Sequence, residues 1–125
     1  MKIFIVDDDN LSIFLTEHLL KLENAAHDVK TFLLAKEALH ALSSGDKERI
    51  PDIILLDLNM PYMDGWAFLD ALAPISSSLR EKCSIYILSS SLDTADTAKV
   101  KEYPIVSGFL HKPISPEDIQ LILHN

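Results

Sequence analysis

Cysteine is almost absent from this chain of 125 residues: Cys83 stands alone. One thiol forms no internal disulfide and no cysteine-based metal site, which fits a reducing, cytoplasmic setting. Positive charge is also scarce. Eleven Lys and Arg face nineteen Asp and Glu, giving a formal net charge of −8. That balance excludes a broad electrostatic footprint for nucleic acid or for an anionic membrane. Long apolar runs are missing: the first, Ile3–Val6, has four residues and ends in acid, so no signal peptide is visible. No stretch approaches the roughly 18 apolar residues that a membrane span requires. The histidines (His18, His27, His40, His111 and His124) are scattered without metal-ligand spacing. Low-complexity tracts and internal repeats are absent as well.

What is present suits one globular domain, with 48% hydrophobic and 24% charged residues. Short apolar runs alternate with amphipathic segments. Lys2–Val6 is apolar at successive positions, as in a parallel strand covered on both faces. Leu11, Phe14/Leu15, His18/Leu19 and Leu22 then repeat at helical spacing. Val29–Phe32 reads as a weaker, edge-type strand, and a helix with Leu34, Ala38/Leu39 and Leu42 inward follows it. After the polar loop Ser43–Asp52, Ile53–Leu56 is a second apolar strand ending at Asp57. The spacing predicts a helix over about Trp66–Ile75, a strand Ser84–Leu88, a helix over Asp93–Glu102 and a strand Ile105–Leu110. Ser115 is placed to cap a last helix over Pro116–His124. The sum is α/β: a (βα)5, doubly wound, five-stranded parallel sheet of the flavodoxin-like type, strand order 2-1-3-4-5.

Ligands of such sheets sit beyond the carboxyl ends of the strands. Those ends offer Asp7-Asp8-Asp9, Asp57, Ser89 and Lys112. Strands one and three are neighbours in this order, so the acids meet in one cleft with a hydroxyl and an ammonium beside them. Two carboxylates about 4 Å apart repel by about 4 kcal/mol at an effective dielectric near 20. Either one is protonated or a cation resolves the conflict. Mg²⁺ suits a site of one or two carboxylates, waters and a phosphate, with Mn²⁺ as its alternative. Lys112 supplies a point charge for a phosphoryl oxygen and Ser89 a donor. Asp57 is the expected nucleophile, Asp8 a direct metal ligand, Asp7 a metal-site residue acting through water or from behind the direct ligands, and the backbone carbonyl of Asn59 a further ligand. Asp9 is expected to face solvent. Gly65 and Pro61 read as turn residues, and Met60 and Trp66 as packing around the rim.

IVDDD after strand one, ILLDLNMPYMDG in the middle, ILSSS after strand four and GFLHKP after strand five resemble the receiver domain of two-component response regulators. The resemblance spans essentially the whole chain, residues 1–125, with no output domain in it, so the chain is expected either to work alone or to be a piece of a longer protein. It implies that Asp57 accepts phosphate from a sensor histidine kinase or a histidine phosphotransfer protein. It further implies that Asp7 and Asp8 hold the metal, that Ser89 and Lys112 engage the phosphoryl group, that Phe109 changes rotamer on activation, and that Lys112-Pro113 is cis. The chain would then be a signalling switch rather than an enzyme, catalysing only its own phosphoryl transfer and dephosphorylation. The fourth helix, fifth strand and fifth helix would meet a downstream protein, as a monomer or a phosphorylation-dependent dimer. Ser89 stands where Thr is more frequent, Ser90 where Ala is common, and Phe109 lacks a tyrosine hydroxyl.

Two rival readings fit parts of the same sequence. IFIVDDD also fits the opening of haloacid-dehalogenase-like phosphatases, with Asp7 as nucleophile and Asp9 as general acid, but that reading leaves Asp57 unexplained. A receiver fold acting only as a binding module is disfavoured because the acids and the Lys are all present.

Overall fold

The computed structural model describes residues 1–23, 28–43, 50–90 and 94–124. Positions 44–49 of the expected polar loop, with Ser91 and Asp93, lie outside the described residues. Five strands, β1 (Lys2–Val6), β2 (Asp28–Phe32), β3 (Ile53–Asp57), β4 (Ser84–Ser89) and β5 (Val106–His111), form one parallel sheet in the order β2-β1-β3-β4-β5. The flavodoxin-like expectation is met. β1 and β3 lie side by side, with Phe4 opposite Ile54 and Val6 opposite Leu56.

Both faces of the sheet are covered, which is why its central strands run through consecutive apolar residues, Ile3–Val6, Ile53–Leu56 and Ile85–Leu88. Alternate residues feed two cores. Ile3, Ile5, Leu55 and Leu88 meet α1 (Asn10–Leu22) and α6 (Pro116–Leu123) through Ile13, Leu20, Ile119 and Ile122. Phe4, Val6, Ile54, Leu56 and Ile87 meet α2 (Ala35–Leu42), α3 (Gly65–Ala71) and α4 (Ser76–Arg80). α6 begins with a full capping box: Ser115 Oγ accepts from the Asp118 amide at 3.1 Å, and Asp118 Oδ2 accepts from the Ser115 amide at 3.0 Å.

Two details depart from the periodicity. The helix expected over Trp66–Ile75 is interrupted. Pro74 has no N–H to give the carbonyl four residues back, so α3 stops at Ala71. A 3-10 turn, Ala73–Ile75, then leads into the separate short helix α4. The second concerns α1, which is apolar on two sides. Its core face is Ile13, Thr16 and Leu20, with the Thr16 hydroxyl satisfied by the Ser12 carbonyl at 2.9 Å. The series Leu11, Phe14, Leu15 and Leu22 points to solvent. The fourth predicted helix appears as α5 (Thr94–Lys99) followed by a 3-10 turn, Val100–Glu102, and no described residue of α5 is buried. Among the described residues, no helix is long and apolar enough to cross a membrane.

Candidate functional site

β1, β3, β4 and β5 all point their carboxyl ends at one edge of the sheet, and that edge carries the charged residues. Asp7 follows β1 and is wholly buried; its amide donates to the Phe32 carbonyl at 3.0 Å, and its Oδ1 accepts from the Asp9 amide at 3.0 Å. Asp57 ends β3 at 5% exposure and accepts from the Asn59 amide at 3.3 Å. Asp8 is exposed. Carboxylate oxygens of Asp7, Asp8 and Asp57 all lie within 4.8 Å of one another. Such a set of three hard oxygen donors, two buried and one open to solvent, fits a divalent cation that keeps part of its water.

Lys112 reaches across from the end of β5. Its Nζ lies 2.8 Å from Asp7 Oδ2 and 3.4 Å from Asp57 Oδ2. Its amide donates to the Ser89 carbonyl at 2.9 Å, which ties the β4 and β5 ends together. The Lys112–Pro113 peptide bond is cis. Ser89 is wholly buried at the end of β4. Phe109 is half-buried on β5 and packs against the core on the α2–α4 side, its ring 5.5 Å from that of the exposed His111. The structure therefore brings Asp7, Asp8, Asp57 and Lys112 together, while Phe109 stands on β5, the strand that Lys112 follows.

The electrostatics follow from burial. Asp57 is pushed up from 3.8 to about 6, first by desolvation and then by the neighbouring Asp7 charge; Lys112 and the Asn59 amide pull the other way. Lys112 has the reverse conflict. Burial alone would lower it, but its hydrogen bond to Asp7 and the charges of Asp7 and Asp57 outweigh that and raise it. The ammonium thus stays charged and partly neutralises the acids. Asp57 at pH 7 remains an ionised oxygen base of unusual strength for an aspartate.

Two residues have more to do here than the sequence suggested. Asp9 caps α1 by accepting from the Leu11 amide at 3.0 Å, so it fixes the helix that starts beside the acids. Gly65 opens α3 against the acid-bearing strand. A Cβ at this position would stand 2.8 Å from the Asp57 carbonyl oxygen and 2.9 Å from Leu58 Cα, both backbone atoms. Only a residue without Cβ allows that approach. Gly65→Ala is therefore expected to cost about 1–3 kcal/mol of stability, by urea unfolding. It should also displace Asp57, whereas a variant as stable as wild type would contradict the close approach.

A cavity of about 310 Å³ runs beside the acids, lined by Leu11, Leu15, Leu88, Pro113 and Ile114 as well as Lys112. Its apolar wall continues into the exposed stripe of α1.

The response regulator receiver domain family model matches residues 3–124. The two-component response regulator ARR11 of Arabidopsis thaliana is 28% identical over 122 residues, covering 98% of this chain and 22% of its own. The alkaline phosphatase synthesis transcriptional regulatory protein PhoP of Bacillus subtilis is 28% identical, over 94% of this chain and 45% of its own. This chain thus spans less than half the length of either relative. Among solved structures, a response regulator receiver protein from Dyadobacter fermentans superposes with a TM-score of 0.83 at 30% identity, covering 99% of this chain and 96% of that one. The chemotaxis protein CheY4 of Vibrio cholerae gives a TM-score of 0.77 at 28% identity, over 98% and 95% of the two chains. A match this continuous, on a sheet whose strand ends carry those acids and that lysine, makes the chain a member of the response regulator receiver family of two-component systems.

Proposed function

We propose that this domain takes a phosphoryl group on Asp57 and passes the resulting change of shape to a protein partner. The observation that carries this reading is the convergence of Asp7, Asp8, Asp57 and Lys112 from three strand ends into one cluster. Asp57 offers an ionised carboxylate oxygen to phosphorus. The new O–P bond forms as the P–N bond of a donor phosphohistidine breaks, and the leaving imidazole keeps the electron pair and takes a proton from solvent. A Mg²⁺ ion held by Asp7, Asp8, Asp57 and the Asn59 carbonyl, or Mn²⁺ in its place, would supply charge neutralisation for the transferring oxygens. Lys112, already between two carboxylates, turns toward the phosphoryl oxygens. Ser89 donates to another of them, and Phe109 takes the space the hydroxyl leaves.

The donor is a sensor histidine kinase or a histidine phosphotransfer protein. Exposed Leu11 and Leu15 line the cavity that Lys112 also lines, which suits a donor that docks an apolar helix beside the acceptor. The outgoing surface is the α5–β5–α6 face, whose loosest element is α5. The cytoplasm is the compartment where such donors are met.

The phosphatase alternative is disfavoured by Asp9, its required general acid, which is engaged as the cap of α1; it also gives Asp57 no part in the chemistry.

Incubation with acetyl phosphate and Mg²⁺ should add one phosphoryl group, read by intact mass, and Asp57→Asn should take up none. Modification that survives Asp57→Asn would sink the assignment. Sustained turnover of p-nitrophenyl phosphate would return the phosphatase reading.

A further inference from the structure

α3 starts on the backbone of Asp57 and carries Trp66 and Asp70, four residues apart and so on one face. Tyr103 lies across both. Its ring centroid is 5.4 Å from that of Trp66 at 31°, and its hydroxyl donates to Asp70 Oδ1 at 2.8 Å. Lys99 Nζ adds a cation 4.9 Å from the Trp66 ring centroid. Lys99 closes α5, and Tyr103 follows the 3-10 turn that leads into β5.

The position of this contact in the chain matters. The segment 94–105 hangs between two strands of the site: β4, which ends at Ser89, and β5, which leads to Phe109 and Lys112. α5 buries none of its described side chains. The segment is held against the core by buried Ile105 and half-buried Val100 and Tyr103, and Lys99 and Tyr103 also contact α3. A rearrangement at Ser89 or Lys112 therefore pulls on a segment whose helix α5 buries no described side chain and whose side-chain contacts with α3 lie on the helix abutting Asp57.

We propose that Tyr103 is a clasp between α3 and the α5–β5 segment, holding that segment in its resting arrangement, so that loading of Asp57 has to work against it. The proposal rests on the reading of Asp57 as phosphoacceptor. A contact made only in the resting state lowers the affinity of the site for a phosphoryl group, and by reciprocity loading of the site weakens the contact. The clasp is a positioning device. Neither Tyr103 nor Asp70 touches the acids.

Calorimetric titration of the full chain with beryllofluoride in Mg²⁺ tests this. Tyr103→Phe, which removes only the hydroxyl, and Asp70→Ala should each tighten binding about fivefold, the worth of one modest hydrogen bond. The double variant should be no tighter than either single one, because all three lose the same bond. Before loading, amides of 94–103 should exchange faster in Tyr103→Phe while those of β1 do not change. Unchanged or weaker binding in the variants, or additive gains, would overturn the clasp. Wild type that takes up no beryllofluoride would instead overturn the phosphoacceptor reading.

Discussion

Asp57→Asn is expected to raise the unfolding free energy by about 2–3 kcal/mol at pH 7 in metal-free buffer, even though it removes the proposed acceptor. Asp57 is held at about 6 in the fold against 3.8 for an ordinary aspartate, chiefly because it is buried and next because Asp7 is beside it. A carboxyl whose folded value is raised contributes its stability below the unfolded value and loses it as pH rises through the folded one. The wild type therefore becomes progressively less stable between about pH 4 and pH 6. At neutral pH it carries the full penalty of an ionised, desolvated carboxylate, and a displacement of about two on the pH scale corresponds to about 3 kcal/mol. Asn keeps the shape and an acceptor for the Asn59 amide without the charge. Urea unfolding in EDTA from pH 4 to pH 7 checks this: the two proteins should converge at the acid end and separate at the neutral end. A variant less stable than wild type at pH 7 would contradict it. Saturating Mg²⁺ should narrow the gap, because a ligand at a hundred times its Kd adds about 2.7 kcal/mol to the protein that binds it.

Lys112→Met should act in the opposite direction, costing about 3 kcal/mol in the same metal-free buffer. Asp7 has no exposed side-chain surface and would lose its partner at 2.8 Å, while Asp57 would lose the cation at 3.4 Å. Removing one member of a buried pair leaves the other charge stranded, which is worth about 3–5 kcal/mol. The lower end applies because the Lys112 side chain keeps 17% of its surface in solvent. Since Lys112 is raised in the fold, its contribution is complete below about 10.5 and fades only in strongly alkaline solution. The loss should therefore be present throughout the neutral range. It should shrink in an Asp57→Asn background, where one fewer carboxylate depends on the ammonium. Equal costs in both backgrounds would show that Lys112 answers to Asp7 alone.

The strand ends were legible because burial and charge change over one or two residues there. Val6 to Asp7 and Leu56 to Asp57 each pass from an apolar run to a carboxylate in one step, and Leu110 passes through His111 to Lys112. The register that makes β1 and β3 neighbours then does the assembling. Less was readable where two signals compete. α1 is apolar on two sides, so its period showed a helix without telling which side meets the sheet. Pro74 was visible, yet the resumption of helix as α4 depends on Leu79 finding a buried place against the core. The need for glycine at 65 is a matter of distance to the Asp57 backbone, which no local pattern encodes. The Tyr103–Asp70 bond joins residues 33 apart through a fold that has to exist first.

The three charged residues bound to one another come from positions 7, 57 and 112, and β1 has no strand beside it on the β3 side until residue 53 is in place. Parallel pairing of this kind has no hairpin to nucleate it. As the chain is synthesised, the first acid-bearing strand must wait for the third, and the lysine follows 55 residues after Asp57. No stretch that stops short of Lys112 holds the cluster. The chemistry of the site is thus switched on only by completion of the sheet, and local opening of β5 would be enough to switch it off.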